Sequence, residues 1–259
     1  MLTLLADRRE FAGLAVPPQV LWPAFESGSA ASLDAILSDL PPQNPSGPPS
    51  LRVDFAAGRG NYEVRIFNEG VLPVRKKSLH DLFNVLAWRT FPHSKRAINR
   101  IHMEAMATEL PGKRGPRRDF LTLVDEAGVI VLVNDQSAAS WLAGEVRRIR
   151  QGDPHAYPGE IKRVLSAANA RLSIFGHALF ESLVLRPETL PKVGAFAVLL
   201  GASHEDSPDA RLAEYLASNA ESLHPSHFPS LRLDVIFDAV GMQAEKQAVA
   251  GVGPIEISK

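Results

Sequence analysis

Residues 79–110 read LHDLFNVLAWRTFPHSKRAINRIHMEAMATEL, and the fold turns on how this stretch is parsed. Leu79 to Phe91 carries Leu82, Phe83, Leu86 and Trp88 at the three- and four-residue spacing of an amphipathic helix. Pro92 has no N–H to donate and closes that helix. Ser94 to Leu110 repeats the pattern with Ile98, Ile101, Met103 and Met106, and Pro111-Gly112 stops it. Two helices joined by only a few residues pack antiparallel. Each carries a polar stripe: His80 and Asn84 beside Trp88 on the first, Lys95, Asn99 and His102 on the second. Antiparallel packing predicts that both stripes face one cleft.

Upstream, Pro41 to Ser50 (PPQNPSGPPS) can enter neither helix nor sheet interior and reads as a linker. Before it, Leu33, Ile36, Leu37 and Leu40 predict a short helix capped by Ser32, so residues 1–50 form a helical arm. LRVDF and YEVRIF, separated by the glycine-containing AAGRGN, predict a hairpin over 51–67. Downstream, FLTLVDE and VIVLVN predict a second hairpin, with Asp125 and Glu126 at its tip. Helical periodicity returns over Ser137–Ile149, Gly159–Ala170, Phe175–Leu185 and Pro208–Ser222, with a strand at VGAFAVLL and an ambiguous apolar run at LRLDVIF. Strands and helices do not alternate regularly. The predicted class is therefore α+β: helices on a small, mainly antiparallel sheet, one main domain over 51–240 and a loose tail over 241–259.

Composition narrows the function. The chain has 259 residues with 28 Lys+Arg against 29 Asp+Glu, which excludes a globally basic nucleic-acid coat. It has no cysteine, so thiolate zinc sites, iron–sulfur clusters, disulfides and cysteine nucleophiles are excluded. Neither a secretory signal nor a membrane-length apolar run is read, and a cytoplasmic address is expected. The phosphate-loop, nucleophile-elbow and zinc-protease motifs are all missing.

What remains is a set of His and acidic residues within apolar segments. Ser78 and Asp81 have the spacing of a capping box, which accounts for Asp81 without any chemistry. Asn is a poor helix former, so Asn99 calls for a specific hydrogen bond. His177 and Glu181 are four apart on one helix, a spacing that suits a shared metal, an oriented imidazole or a structural ion pair. Taken together, His80, His102, His177 and Glu181 make a nitrogen and oxygen ligand set for a divalent metal, with Asp125 beside them. In that reading His80, His102, Asp125 and Glu181 supply acid–base chemistry. Asn84, Lys95, Asn99 and Arg118 hold a small anionic or phosphate-bearing substrate.

The segments YEVRIFNEGVLPVRKK, HDLFNVLAWRTFPHSKRAINRIH, GPRRDFLTLVDE and FGHALFE resemble an uncharacterised bacterial family, the domain of unknown function 3025, from about Tyr62 to Phe196. The resemblance implies that His80, Asp81, Asn84, Lys95, Asn99, His102, Asp119, Asp125, Glu126, His177 and Glu181 occupy its motif positions. It implies a cytoplasmic bacterial protein and no particular reaction. Two functions follow as expectations. One is a metal-assisted hydrolase of an anionic substrate. The other is a non-enzymatic ligand-binding or interaction module, in which the same residues form a buried structural network.

Overall fold

The computed structural model describes residues 11, 13–40, 50–56, 62–110, 112–153, 155, 158–168, 170–186, 195–200 and 206–227. The described residues fall in two compact units, one drawn from residues 1–92 and the other from 93–243. The proline-rich segment over 41–49, the LRLDVIF run and the tail from residue 241 lie outside the described residues.

The first unit begins with α1 (Pro18–Ser27) and α2 (Ala30–Leu37). Pro18 sits in the first turn of α1, where its missing N–H costs nothing. Gly28 ends the helix at φ 77°, and its N–H donates to the Ala24 carbonyl. The left-handed φ is what calls for glycine at position 28, since the Lys76 side-chain end that a Cβ would meet can swing aside. Helix α2 starts after Ser29, one turn earlier than the expected cap at Ser32.

Strand β1 (Arg52–Asp54) and strand β2 (Val71–Pro73) pair in parallel, with Val53 opposite Leu72. Between them YEVRIFNE forms α3 (Tyr62–Glu69), which corrects the expected 51–67 hairpin. Parallel strands cannot be joined by a tight turn, and α3 is the crossover they require. Arg65 secures it, pairing with Glu69 one turn on and with Asp54 at the end of β1. The central helix α4 (Leu79–Thr90) is buried from Asp81 through Trp88, and Phe11 stacks at a tilt on Phe83 with 5.8 Å between ring centres.

The second unit opens with α5 (Pro92–Thr108) and α6 (Pro116–Ala127). FLTLVDE belongs to α6 rather than to a hairpin: Pro116 starts the helix, and Phe120, Leu121 and Val124 bury a helical stripe. Asp125 and Glu126 are thus in its last turn. The chain passes straight from α6 into β3 (Gly128–Val133), whose six residues are all buried. Next come α7 (Gln136–Arg150), α8 (Pro158–Ala167), β4 (Arg171–Ile174), α9 (His177–Leu185), β5 (Ala195–Leu200) and α10 (Pro208–Ser218).

Strand β3 lies between β4, antiparallel to it, and β5, parallel to it. Its two-sided burial explains the unbroken apolar run GVIVLV. The α+β class holds. The sheet content differs from the expected antiparallel arrangement, since two of the three strand pairings among the described residues are parallel. Strand β4 was not expected. Its four residues end at Phe175-Gly176, and only its partner β3 distinguishes it from a loop. Among the described residues no helix is long and apolar enough to cross a membrane.

Candidate functional site

Two glycines determine where the polar residues of the second unit meet. Gly128 and Gly176 lie against each other, and the N–H groups of Phe175 and Gly176 both donate to the Gly128 carbonyl. A Cβ at Gly176 would fall 2.5 Å from the Glu126 carbonyl oxygen, and one at Gly128 would fall 2.4 Å from the Val124 oxygen. Only glycine lets the two backbones approach this closely. The consequence is that the first residue of α9, His177, is set against the last turn of α6, where Asp125 sits.

His177 Nδ1 lies 2.8 Å from the Asp125 main-chain oxygen and 3.8 Å from its carboxylate. A carbonyl oxygen only accepts, so Nδ1 carries the hydrogen and the lone pair of the neutral ring is on Nε2. From α5, the Lys95 ammonium donates to Asp125 Oδ1 at 2.5 Å. Burial works against an ionised Asp125, yet the Lys95 charge and hydrogen bond hold its carboxyl below the usual range, with His177 adding to this only when its ring is protonated.

His102 lies two turns beyond Lys95 on α5. Its Nδ1 accepts a long hydrogen bond, 3.4 Å, from Arg118 Nε on α6. Guanidinium is donor-only, so His102 carries its hydrogen on Nε2, the opposite tautomer to His177. Burial lowers the His102 pKa to about 4, against the pull of Asp125 and with the help of Arg118, Arg114 and Lys95. The ring is neutral at physiological pH. Lys95, Asn99 and His102 are only 2%, 1% and 3% exposed, and His177 is 4% exposed.

The expected residues therefore divide. Lys95, His102, Asp125, His177 and Arg118 come together in the second unit, and Asn99 is buried one turn from Lys95 on the same helix. Glu181 is half-buried, one turn beyond His177. Glu126 is exposed, and Asp119 is exposed and paired with Arg114. His80 and Asn84 belong to α4 in the first unit. There Asn84 Nδ2 donates to the Tyr62 hydroxyl at 2.6 Å, and Asp81 accepts from the Arg75 backbone and from two guanidinium nitrogens. Ser78 caps α4 through the Asp81 N–H, as its spacing predicted.

The metal set is not assembled: among the described residues no group of three or more His, Asp or Glu side chains is placed to hold a metal ion. Around Asp125 the reason is physical. One carboxylate oxygen of Asp125 is already held by an ammonium, and the His102 lone pair is taken by Arg118, which leaves at most one imidazole lone pair in this cluster, that on His177 Nε2. Sequence reasoning missed two carboxylates. Asp209, at the start of α10, accepts from the N–H groups of His93 and Ser94 and caps α5 from a distance of 115 residues. Glu109 holds Arg118. Asp209 has no local signal, because its partners are 115 and 116 positions away; the partners of Glu109 lie six and nine residues on, across the connection from α5 to α6.

A helix-rich α+β protein with a buried ammonium–carboxylate pair flanked by two neutral-capable imidazoles is the class that fold and site define. Residues 52–241 match the family described as protein of unknown function (DUF3025), and the chain belongs to that family. No curated protein and no solved structure matches it.

Proposed function

We propose that the chain is a cytoplasmic hydrolase of a small anionic substrate, with its acid–base centre in the side chains around Asp125. The observation that carries this reading is the pair of opposite tautomers: His177 holds its lone pair on Nε2, and His102 holds its hydrogen there. One ring offers a base and the other a neutral donor. In the reaction, His177 Nε2 takes a proton from water as the water oxygen adds to the substrate's electrophilic atom. His102 Nε2–H donates to the oxygen that gains charge, the bond to the leaving group breaks, and His177 returns the proton to that group. Lys95 keeps Asp125 ionised and the α6 terminus in place. Arg114 and Arg118, each paired with a carboxylate but still partly exposed, are the groups of this cluster that would meet an anionic substrate by exchanging those partners.

The test is turnover of a panel of small carboxylate- and phosphate-bearing esters and amides by the full chain, with His177→Gln and His102→Gln alongside. We expect turnover by the native protein and a loss of roughly 10²–10⁴-fold in kcat/KM for His177→Gln, in folded protein. Equal turnover by native and variant proteins overturns the assignment.

The near-complete burial of Lys95, His102 and His177 favours a second reading, a structural network without chemistry. A cavity of about 300 Å³ is lined by residues of α7 and α8 with the preceding Asp135, including Trp141, Ala138 and Val164, and none of its lining residues belongs to this cluster. Under that reading both variants lose stability and no member of the panel is turned over.

A further inference from the structure

Glu109 follows the last turn of α5 and was not among the residues singled out by sequence. Its carboxylate does two things at once. Oε1 accepts the Gly115 N–H at 2.8 Å, and Oε2 accepts Arg118 Nη1 at 3.0 Å. The first bond ties the Glu109 side chain to the residue that caps α6. The second holds the guanidinium whose Nε reaches His102. A Cβ at Gly115 would stand 2.9 Å from Glu109 Oε1, so a side chain there displaces the carboxylate. Burial disfavours an ionised Glu109, but the Gly115 N–H and Arg118 outweigh it and hold the carboxyl below its ordinary range.

An arginine has many rotamers, and one hydrogen bond to an imidazole does not fix its plane. A carboxylate gripping Nη1 from a helix start does, and it presents Nε–H to one ring nitrogen. Glu109 and Arg118 remain about a sixth and a fifth exposed, whereas His102 is closed off. The chain of contacts thus runs from the protein's edge to a buried ring.

We infer that Glu109 is a positioning residue: acting through Arg118, and seated by the glycine at 115, it sets His102 as the Nε2–H tautomer. The inference rests on the proposed acid–base centre only for its functional meaning. The tautomer itself is a property of the folded chain.

The experiment is long-range ¹H–¹⁵N NMR of the full chain labelled at histidine nitrogen, which reads the protonated nitrogen of His102 directly, with folding followed by circular dichroism. The native protein should show a bare Nδ1 and a protonated Nε2 at neutral pH. Glu109→Ala, Gly115→Ala and Arg118→Met should each lower the Nε2–H to Nδ1–H ratio by about tenfold, the equilibrium equivalent of one such hydrogen bond. A folded Glu109→Ala protein with the native His102 pattern overturns the inference, because a merely structural glutamate would alter stability and leave the tautomer alone. If Glu109→Ala does not fold, Glu109→Gln decides in the same way, since it cannot grip Gly115 and Arg118 through two carboxylate oxygens. Absence of turnover in the ester and amide panel bears on the proposed hydrolase and leaves this readout standing.

Discussion

Helices α4 and α5 have similar sequence texture, polar residues at helical spacing within an apolar surround, yet they satisfy those residues differently. On α4 the partners of the two buried polar residues lie within 22 positions, Ser78 and Arg75 serving Asp81 and Tyr62 serving Asn84, and the half-buried end of the helix reaches back to Asp39 and Ala15. On α5 they are brought from other helices. Lys95 meets Asp125 30 positions on, and the start of the helix is capped by Asp209. A helix with nearby partners is stabilised largely by its own neighbourhood. One with distant partners holds charged groups in place by tertiary packing, which is the arrangement an acid–base centre needs.

The sharpest way to break this contrast is to remove a charge from the α5 side. Asp125→Ala leaves the Lys95 ammonium buried without its carboxylate and should cost about 3–5 kcal/mol in urea unfolding. Adding Lys95→Met to that variant should restore much of the loss, because the cost lies in the orphaned charge. A double variant as unstable as the single one contradicts the pairing.

Acid comes next. With a folded pKa of about 4 against 6.5 in a free ring, His102 binds fewer protons folded than unfolded between those values. Its contribution is complete above pH 6.5 and is lost as pH falls toward 4, an order of about 3 kcal/mol. Unfolding measured at pH 7.5 and 4.5 should show this loss, and His102→Gln should flatten it. An unchanged slope in the variant would place the proton uptake elsewhere. The smallest effect belongs to α4: Asn84→Ala removes the bond to Tyr62 and should cost about 1–2 kcal/mol in thermal unfolding, with the His102 and His177 nitrogens unmoved in NMR.

How far the sequence carries can be judged on particular segments. Helices α4, α5, α7, α8, α9 and α10 were legible because their apolar spacing runs over several turns, and prolines mark an end of α4, α5, α8 and α10. YEVRIF and FLTLVDE were misassigned because six or seven residues fit both a two-residue and a 3.6-residue period. What decides them is remote. The parallel partner of β1 requires α3 to be a crossover, and the contact of Gly128 with Gly176 ends α6 where it does. The residue types that gather around Asp125 were nameable in the same way. Their pairings were not, since the Lys95–Asp125 bond and the Glu109 grip on Gly115 and Arg118 depend on the wrongly placed α6, and Asp209 draws meaning only from groups 115 and 116 positions away.

The clamp of Asp209 on the start of α5 also has a temporal side. A ribosome adds roughly 5–20 residues per second, so the 115 residues separating Ser94 from Asp209 take on the order of 6–23 s to synthesise. Throughout that interval the His93 and Ser94 N–H groups have no carboxylate to meet. Helix α5, the carrier of Lys95 and His102, is therefore written early and finished late, and a chain truncated before residue 209 would hold every cluster residue while Lys95 and His102 sat on a helix whose first turn was never closed.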